Sequence, residues 1–293
     1  MLRSLCSACF LCLLVQFVAA PALAKSTDKA ASKNTETPLK IVFPFMNQHD
    51  TGGHFYYFPQ LLKLALKKTE ATDGPFEFTF HTQGFTSART VAELKYARSI
   101  NVMWTNLDEE RRRDLLPIYI PLLRGMNSYR LLLIRAEDQE KFHAVRTLKD
   151  LSAYKAGSVA NWPDTRVMRK NDLPVVASIH YDLLFTMLAG ERFDYFSRGL
   201  YEVWEELRIH SDKGLVIEDS LMLHYHSPIY FFVNRKDKQL ADRIHRGLQI
   251  AMADGSFDEL FFSIPGFKQG YEEMINPDRR ILDLVPLLPP YAP

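Results

Sequence analysis

Three consecutive arginines, Arg111 to Arg113, stand inside a charged run from Asp108 to Asp114. A guanidinium fork can give a carboxylate two parallel hydrogen bonds. The run is therefore either part of a carboxylate clamp or a solvated stretch whose charges screen one another. A second group is Asn161-Trp162-Pro163-Asp164-Thr165, between a strand and the first turn of a helix. Free backbone N–H groups there favour an anion, and proline suits the first helical turn. The plainer alternative is a capped turn with Trp162 packed over it. His49, Asp50 and His54 share one glycine-containing loop, and His224 and His226 are two apart on one strand face. Zinc takes three or four ligands, and neither set has a third nearby, so neither a metal nor a cofactor is expected. There is no Gly-x-Ser-x-Gly and no phosphate loop. Glu109, Glu110 and Glu202 carry carboxylates, but their spacing singles out no acid–base pair.

The elements that would position these groups alternate. Leu39 to Phe45 reads as a buried strand. Tyr57, Phe58, Leu61, Leu62, Ala65 and Leu66 line one face of a helix over 55–69. Strands follow at 76–81 and 100–104, with a helix over 87–99 between them. A second set comprises strands at 129–135, 156–160, 175–179 and 194–196, interleaved with helices over 147–151, 164–171, 181–189 (ended by Gly190 at the C′ position) and 200–208. A strand at 229–233, an amphipathic helix over 240–253 and an extended proline-rich tail from Leu284 to Pro293 close the chain. Strand–helix alternation predicts βαβ units and largely parallel sheets.

The 293 residues carry 36 basic and 35 acidic side chains and are 47% hydrophobic. This is ordinary globular composition, which argues against long disorder and a polytopic membrane protein. The near-neutral charge argues against a nucleic-acid partner. Residues 1–24 read as a cleavable secretory signal: Arg3, an apolar run from Leu5 to Ala20, then Ala22-Leu23-Ala24 before Lys25. Cleavage near Ala24 would remove Arg3 and all three cysteines, which excludes disulfides, thiolate metal sites and a cysteine nucleophile. Residues 25–37 read as a flexible leader.

Four segments in order resemble the periplasmic solute-binding proteins of the polar amino-acid type (family 3). They are Asp108-Glu-Glu-Arg-Arg-Arg113 with Leu116-Pro-Ile-Tyr119; Thr147-Leu-Lys-Asp-Leu151 leading to Ala156-Gly157-Ser158; Leu184 through Gly190 to Asp194; and Leu240 through Asp254-Gly-Ser-Phe-Asp-Glu-Leu-Phe261. The resemblance implies an α/β, two-lobe type II periplasmic-binding fold. Each lobe would be a mainly parallel sheet flanked by helices, with a two-strand hinge and the ligand in the cleft. Lobe 1 would be 38–121 plus 228–293, and lobe 2 would be 122–227.

The resemblance also places roles. Arg111 matches the arginine that grips the ligand's α-carboxylate, although its neighbours allow a slip of one position. The family's aspartate for the α-ammonium falls on Gly199, with Arg198 and Glu202 beside it. Arg198 would add positive charge and favour a more anionic ligand, and Glu202 could replace the aspartate if the loop shifts. Trp104 and Thr105 would stand at the cleft edge, with Asn161, Trp162 and Thr165 facing them and Tyr56 reaching in from the first helix. The expected function is periplasmic binding of a small anionic or zwitterionic solute by a monomer that docks on an ABC permease or a membrane sensor. The alternatives are a dehydratase-like enzyme acting on a carboxylic acid and an accessory module without a ligand.

Overall fold

The computed structural model describes residues 37–46 and 54–288. The expected secretory signal, nearly all of the leader, and His49 and Asp50 lie outside the described residues. The strands are β1 (Leu39–Phe43), β2 (Phe76–Phe80), β3 (Val102–Asn106), β4 (Leu115–Ile118), β5 (Tyr129–Arg135), β6 (Ala156–Val159), β7 (Val175–Ser178), β8 (Tyr195–Gly199), β9 (Leu215–Ile217), β10 (Leu221–His224), β11 (Ile229–Asn234) and β12 (Arg280–Asp283). They build an α/β molecule of two lobes. In lobe 1, β1 and β2 form a parallel pair beside a sheet ordered β3-β11-β4. Asn101 ties the two together: its amide donates to the Val42 carbonyl at 3.1 Å, and its Oδ1 accepts the Val42 amide at 2.8 Å. In lobe 2 the order is β12-β10-β5-β8-β6-β7, with β9 also on β5.

Pairs β1–β2, β6–β7, β6–β8 and β10–β12 run parallel. The antiparallel pairs all involve β5 or β11. These are the strands the chain enters just after each passage between lobes, so the antiparallel contacts are a product of the two crossings. The crossings are bonded to each other: Leu122 donates to the Ile229 carbonyl at 3.0 Å, and Tyr225 donates to the Ser128 carbonyl at 3.0 Å.

Helix His54–Lys68 forms because its apolar residues recur on one face. Tyr57, Phe58, Leu61, Leu62, Ala65 and Leu66 are all buried. They pack against Leu240, Ile244, Leu248 and Ala251 of helix Lys238–Ala253, whose first turn is capped by Asp237 accepting the Leu240 amide at 3.1 Å. Burying each leucine- or phenylalanine-sized side chain is worth about 1.5–3 kcal/mol. The helices touch at Gly247, where a Cβ would lie 2.0 Å from the Ala65 carbonyl oxygen.

Three features differ from the sequence reading. Gly190 has φ −89°, and the left-handed residue is Glu191 at φ 58°. Helices Ser256–Ser263 and Phe267–Met274 and strands β4, β9, β10 and β12 were not foreseen as elements. The C-terminal chain, expected with lobe 1, pairs β12 to β10 in the lobe 2 sheet, because Leu282 and Leu284 bury beside Leu221 and Leu223. No helix among the described residues is long and apolar enough to cross a membrane.

Candidate functional site

The ends of the strands nearest the crossings enclose two adjoining cavities. The lobe 1 cavity, about 510 Å³, is lined by Pro44 after β1, Phe85 and Ser87 after β2, Met103 to Asn106 on β3, Ile229 opening β11, Phe55 and Phe58 of the first helix, Thr90, and Tyr201 from lobe 2. Trp104 forms its floor. The indole lies nearly parallel to Phe43 (5.1 Å, 9°) and Phe58 (5.1 Å, 22°), so its wall position is braced from within the lobe 1 core. Thr105 follows it and pairs with Tyr230.

The second cavity, about 160 Å³, shares Asn106 and Tyr201 with the first and is completed by Asn127, Arg130, Trp162, Pro163, Asp164, Arg198 and Glu202. Its charges are matched inside the protein. Arg198 donates from Nε to Glu206 Oε2 at 2.7 Å and from Nη2 to Glu206 Oε1 at 2.5 Å, and the same Nη2 lies 2.9 Å from Glu202 Oε2. Tyr181 Oη donates to Glu206 Oε1 at 2.6 Å. The Arg198 head stacks over Trp162, 4.7 Å from the ring centroid, a cation–π contact that adds to the ion pairs. Burial works against its charge, but Glu202 and Glu206 outweigh burial and hold its pKa well above the usual arginine value. Arg130 donates from Nε to Asp164 Oδ1 at 2.7 Å, and Tyr225 Oη donates to the same oxygen. Burial pushes the Asp164 pKa up, yet the Arg130 charge prevails and the carboxyl sits below its ordinary value.

A third cavity, about 40 Å³, adjoins through Asn106 and Pro163; Arg111, His226 and the tail residues Leu287 and Leu288 line it. Arg111 Nη1 donates to its own Asp108 Oδ2 at 2.7 Å and to the Asn106 carbonyl at 3.2 Å. Its Nε is buried without a hydrogen-bond partner. Asp108 also caps the helix that begins at Glu109, accepting the Arg111 amide at 2.8 Å. Around these cavities the crossings are tied by Ser227, whose Oγ accepts from Asn106 Nδ2 at 2.8 Å and whose carbonyl accepts from Asn127 Nδ2.

The structure thus brings Trp104, Thr105, Trp162, Arg198 and Glu202 together and places Arg111 next door, with its head paired internally. Three residues fall elsewhere. Thr165 is fully buried, donating to Ser158 Oγ at 2.7 Å and the Val159 carbonyl at 2.6 Å; it pins its helix to β6, because a hydroxyl one turn into a helix packed on a strand finds backbone acceptors there. Asn161 is exposed and lines neither of the two adjoining cavities. Tyr56 is half-buried, and the first-helix residues that line the lobe 1 cavity are Phe55 and Phe58. Asn106, Asn127, Arg130, Asp164 and Tyr201 are among the lining residues that had no assigned place in the cleft. A buried charge on a strand, as at Arg130, is a signal readable in sequence, since such a group must find a partner.

Of the histidines, His224 pairs with Asp283 at 2.7 Å and His226 is half-buried. Among the described residues, His143, Glu218 and Asp219 are near enough to approach one ion together. Glu218 already accepts from Gln139, Ser220 and Leu221.

No family model matches the chain, and no curated protein matches it. Solved structures do. An arginine-specific periplasmic binding protein of Salmonella typhimurium aligns at a TM-score of 0.56 with 13% identity, covering 77% of this chain and 99% of that one. The fold is that of the amino-acid-binding periplasmic proteins. The probable amino-acid ABC transporter extracellular-binding protein ytmK of Bacillus subtilis aligns at 0.57 with 16% identity over 78% and 99%. An ancestral amino acid-binding protein described as a precursor of cyclohexadienyl dehydratase aligns at 0.53 with 12% identity over 77% and 95%.

Proposed function

We propose that the chain binds a small amino-acid-like solute in the cleft between its lobes. The observation that carries this reading is the pair of adjoining cavities, one walled mainly by lobe 1 and one mainly by lobe 2, which meet at Asn106 and Tyr201. A ligand spanning them would touch both lobes and so favour closure about the crossings.

The smaller cavity suits the polar head of the ligand. The contacts of Arg198 to its glutamates use Nε and Nη2, which leaves Nη1 for a carboxylate. Arg130 and Tyr225 both bond to Asp164 Oδ1, which leaves Oδ2 for an ammonium. Paired with Arg130, Asp164 serves in this reading as a charge partner for the ligand. By the same reading the protein is exported, loses residues 1–24, acts in the periplasm as a monomer, and presents its closed form to an ABC permease or a membrane sensor. Tryptophan fluorescence and small-angle scattering with a panel of amino acids test this. A saturable change in the emission of Trp104 and Trp162, with a smaller radius of gyration, is expected. Saturable binding without either change would overturn cleft closure.

A further inference from the structure

Helix Phe267–Met274 holds on to both lobes. Phe267 packs edge-on against Tyr57 of lobe 1 (5.1 Å, 67°) and against Tyr201 of lobe 2 (6.3 Å, 77°). One turn on, Gly270 lies against the Leu200 backbone, where a Cβ would come within 2.3 Å of the carbonyl oxygen and 3.1 Å of Met126 Sδ in the first crossing. The chain then passes into lobe 2 through Ile275 to Arg279 and pairs there as β12. This passage is stiff: Pro277 fixes its own φ, and Asn276 Oδ1 accepts the Asp278 amide at 3.0 Å. At its end the Arg279 side chain is only 6% exposed. Its Nη1 donates to the Glu218 carbonyl at 2.7 Å and the Leu221 carbonyl at 3.1 Å, both in the β9–β10 turn of lobe 2, while its Nε donates to Glu273 on the helix. A guanidinium taken out of water must find acceptors, and here they come from two separate elements, which it fastens together.

We propose that residues 267–279 form a third connection between the lobes, which limits how far they open when no ligand is bound. Two crossing strands alone make a hinge that can bend and twist. A third contact point, displaced from them, turns rotation into the separation of packed groups. Opening must then draw Gly270 from Leu200 or Phe267 from Tyr57, because the stiff passage cannot take up the motion. If the cleft is the ligand site, as proposed above, a restrained ligand-free form raises the fraction competent to bind. Tyr201 joins the two features, since it lines both cavities and touches Phe267.

The test uses no ligand, so its failure is distinct from failure of the cleft reading. Small-angle scattering and amide hydrogen exchange are measured on the ligand-free full chain and on Glu273→Gln and Gly270→Ala. Glu273→Gln weakens the bond to Arg279 but leaves both lobe 2 carbonyls their donor, and with 26% of the Glu273 side chain exposed the fold should persist. Gly270→Ala drives a methyl into Leu200 while favouring the helix itself. Both variants are expected to raise the radius of gyration. Both should also speed exchange of the Leu122 and Tyr225 amides, which bond one crossing to the other, by about tenfold, as for the loss of one charge-assisted bond. An unchanged radius and unchanged exchange in both variants would overturn the proposal. A smaller radius in either would also overturn it, because the segment would then be propping the lobes apart.

Discussion

Replacing Glu206 by glutamine tests whether the charge balance of the cleft is a working part of it. Glu206 is buried, with 10% of its side chain exposed. Its two oxygens accept three bonds, two from Arg198 and one from Tyr181. An amide has only one acceptor oxygen. Whichever way it is turned, its NH2 group faces one of the Arg198 N–H groups, and one charged bond is lost. Such a bond is worth about 1.5–3 kcal/mol. Breaking a buried pair outright costs about 3–5 kcal/mol, but here Glu202 still holds Nη2 at 2.9 Å. The expected loss is therefore about 3 kcal/mol, which at about 2–4 °C per kcal/mol for a chain of this size class lowers the melting temperature by roughly 6–12 °C. The loss of one negative charge beside Arg198 should act on ligands in the opposite sense. A carboxylate roughly 5 Å away at an effective dielectric constant of about 20 gains about 3 kcal/mol, so affinity for an anion such as glutamate should rise by up to about 100-fold. Thermal unfolding and calorimetry read the two effects separately. A stability loss with no gain for anions would refute the idea that Arg198 is available to the ligand. An unchanged melting temperature would refute the account of the ion pairs.

Two further outcomes follow from the packing and the surface charges. In Gly247→Ala the new methyl would meet the Ala65 carbonyl at 2.0 Å and force the helices apart, so denaturant unfolding should show a loss of about 1–3 kcal/mol; a loss below about 0.5 kcal/mol would mean that the helices are not held at this distance. His143 has a raised pKa, first through its hydrogen bond to Asp219 at 2.7 Å, which outweighs the opposing effect of desolvation, and then through the charges of Asp219, Glu140 and Glu218. Because the folded pKa lies above the unfolded value, the stabilisation is complete below about pH 6.5 and fades as pH rises through the folded pKa. Asp219→Asn should lower the His143 midpoint in an NMR titration and flatten this part of the stability profile, and an unmoved midpoint would remove Asp219 as the cause.

How far the cleft could be read in advance follows from where its residues sit on the strands. In open α/β sheets, ligand crevices form outside the carboxyl ends of the parallel strands. Pro44, Phe85, Asn106, Trp162 and Glu202 follow or close β1, β2, β3, β6 and β8. Once these strands were recognised by periodicity, Trp104 and Trp162 could be placed at the cleft without knowledge of any distance, whereas Arg198 and Glu202 were placed there by the resemblance alone. Strands β5 and β11 run against their neighbours, so they reach the same edge with their amino ends, through Arg130 and Ile229. That reversal depends on the two crossings, which local pattern does not encode, and Arg130 was missed for that reason. Strand β4 was hidden by Pro117 and the charged run before it, and β9 and β10 by their shortness. The state of each charge was beyond reach for a different reason. The resemblance marked Arg111 as a carboxylate clamp and Arg198 as added positive charge, but whether a guanidinium is free depends on which carboxylate the fold brings to it. Asp108 is three residues from Arg111, and Glu206 is eight residues from Arg198 across a turn and a helix. A one-dimensional reading counts both arginines as open positive charges. In three dimensions each is already answered from within the chain, Arg111 by one carboxylate and Arg198 by two, so neither stands as an open positive charge.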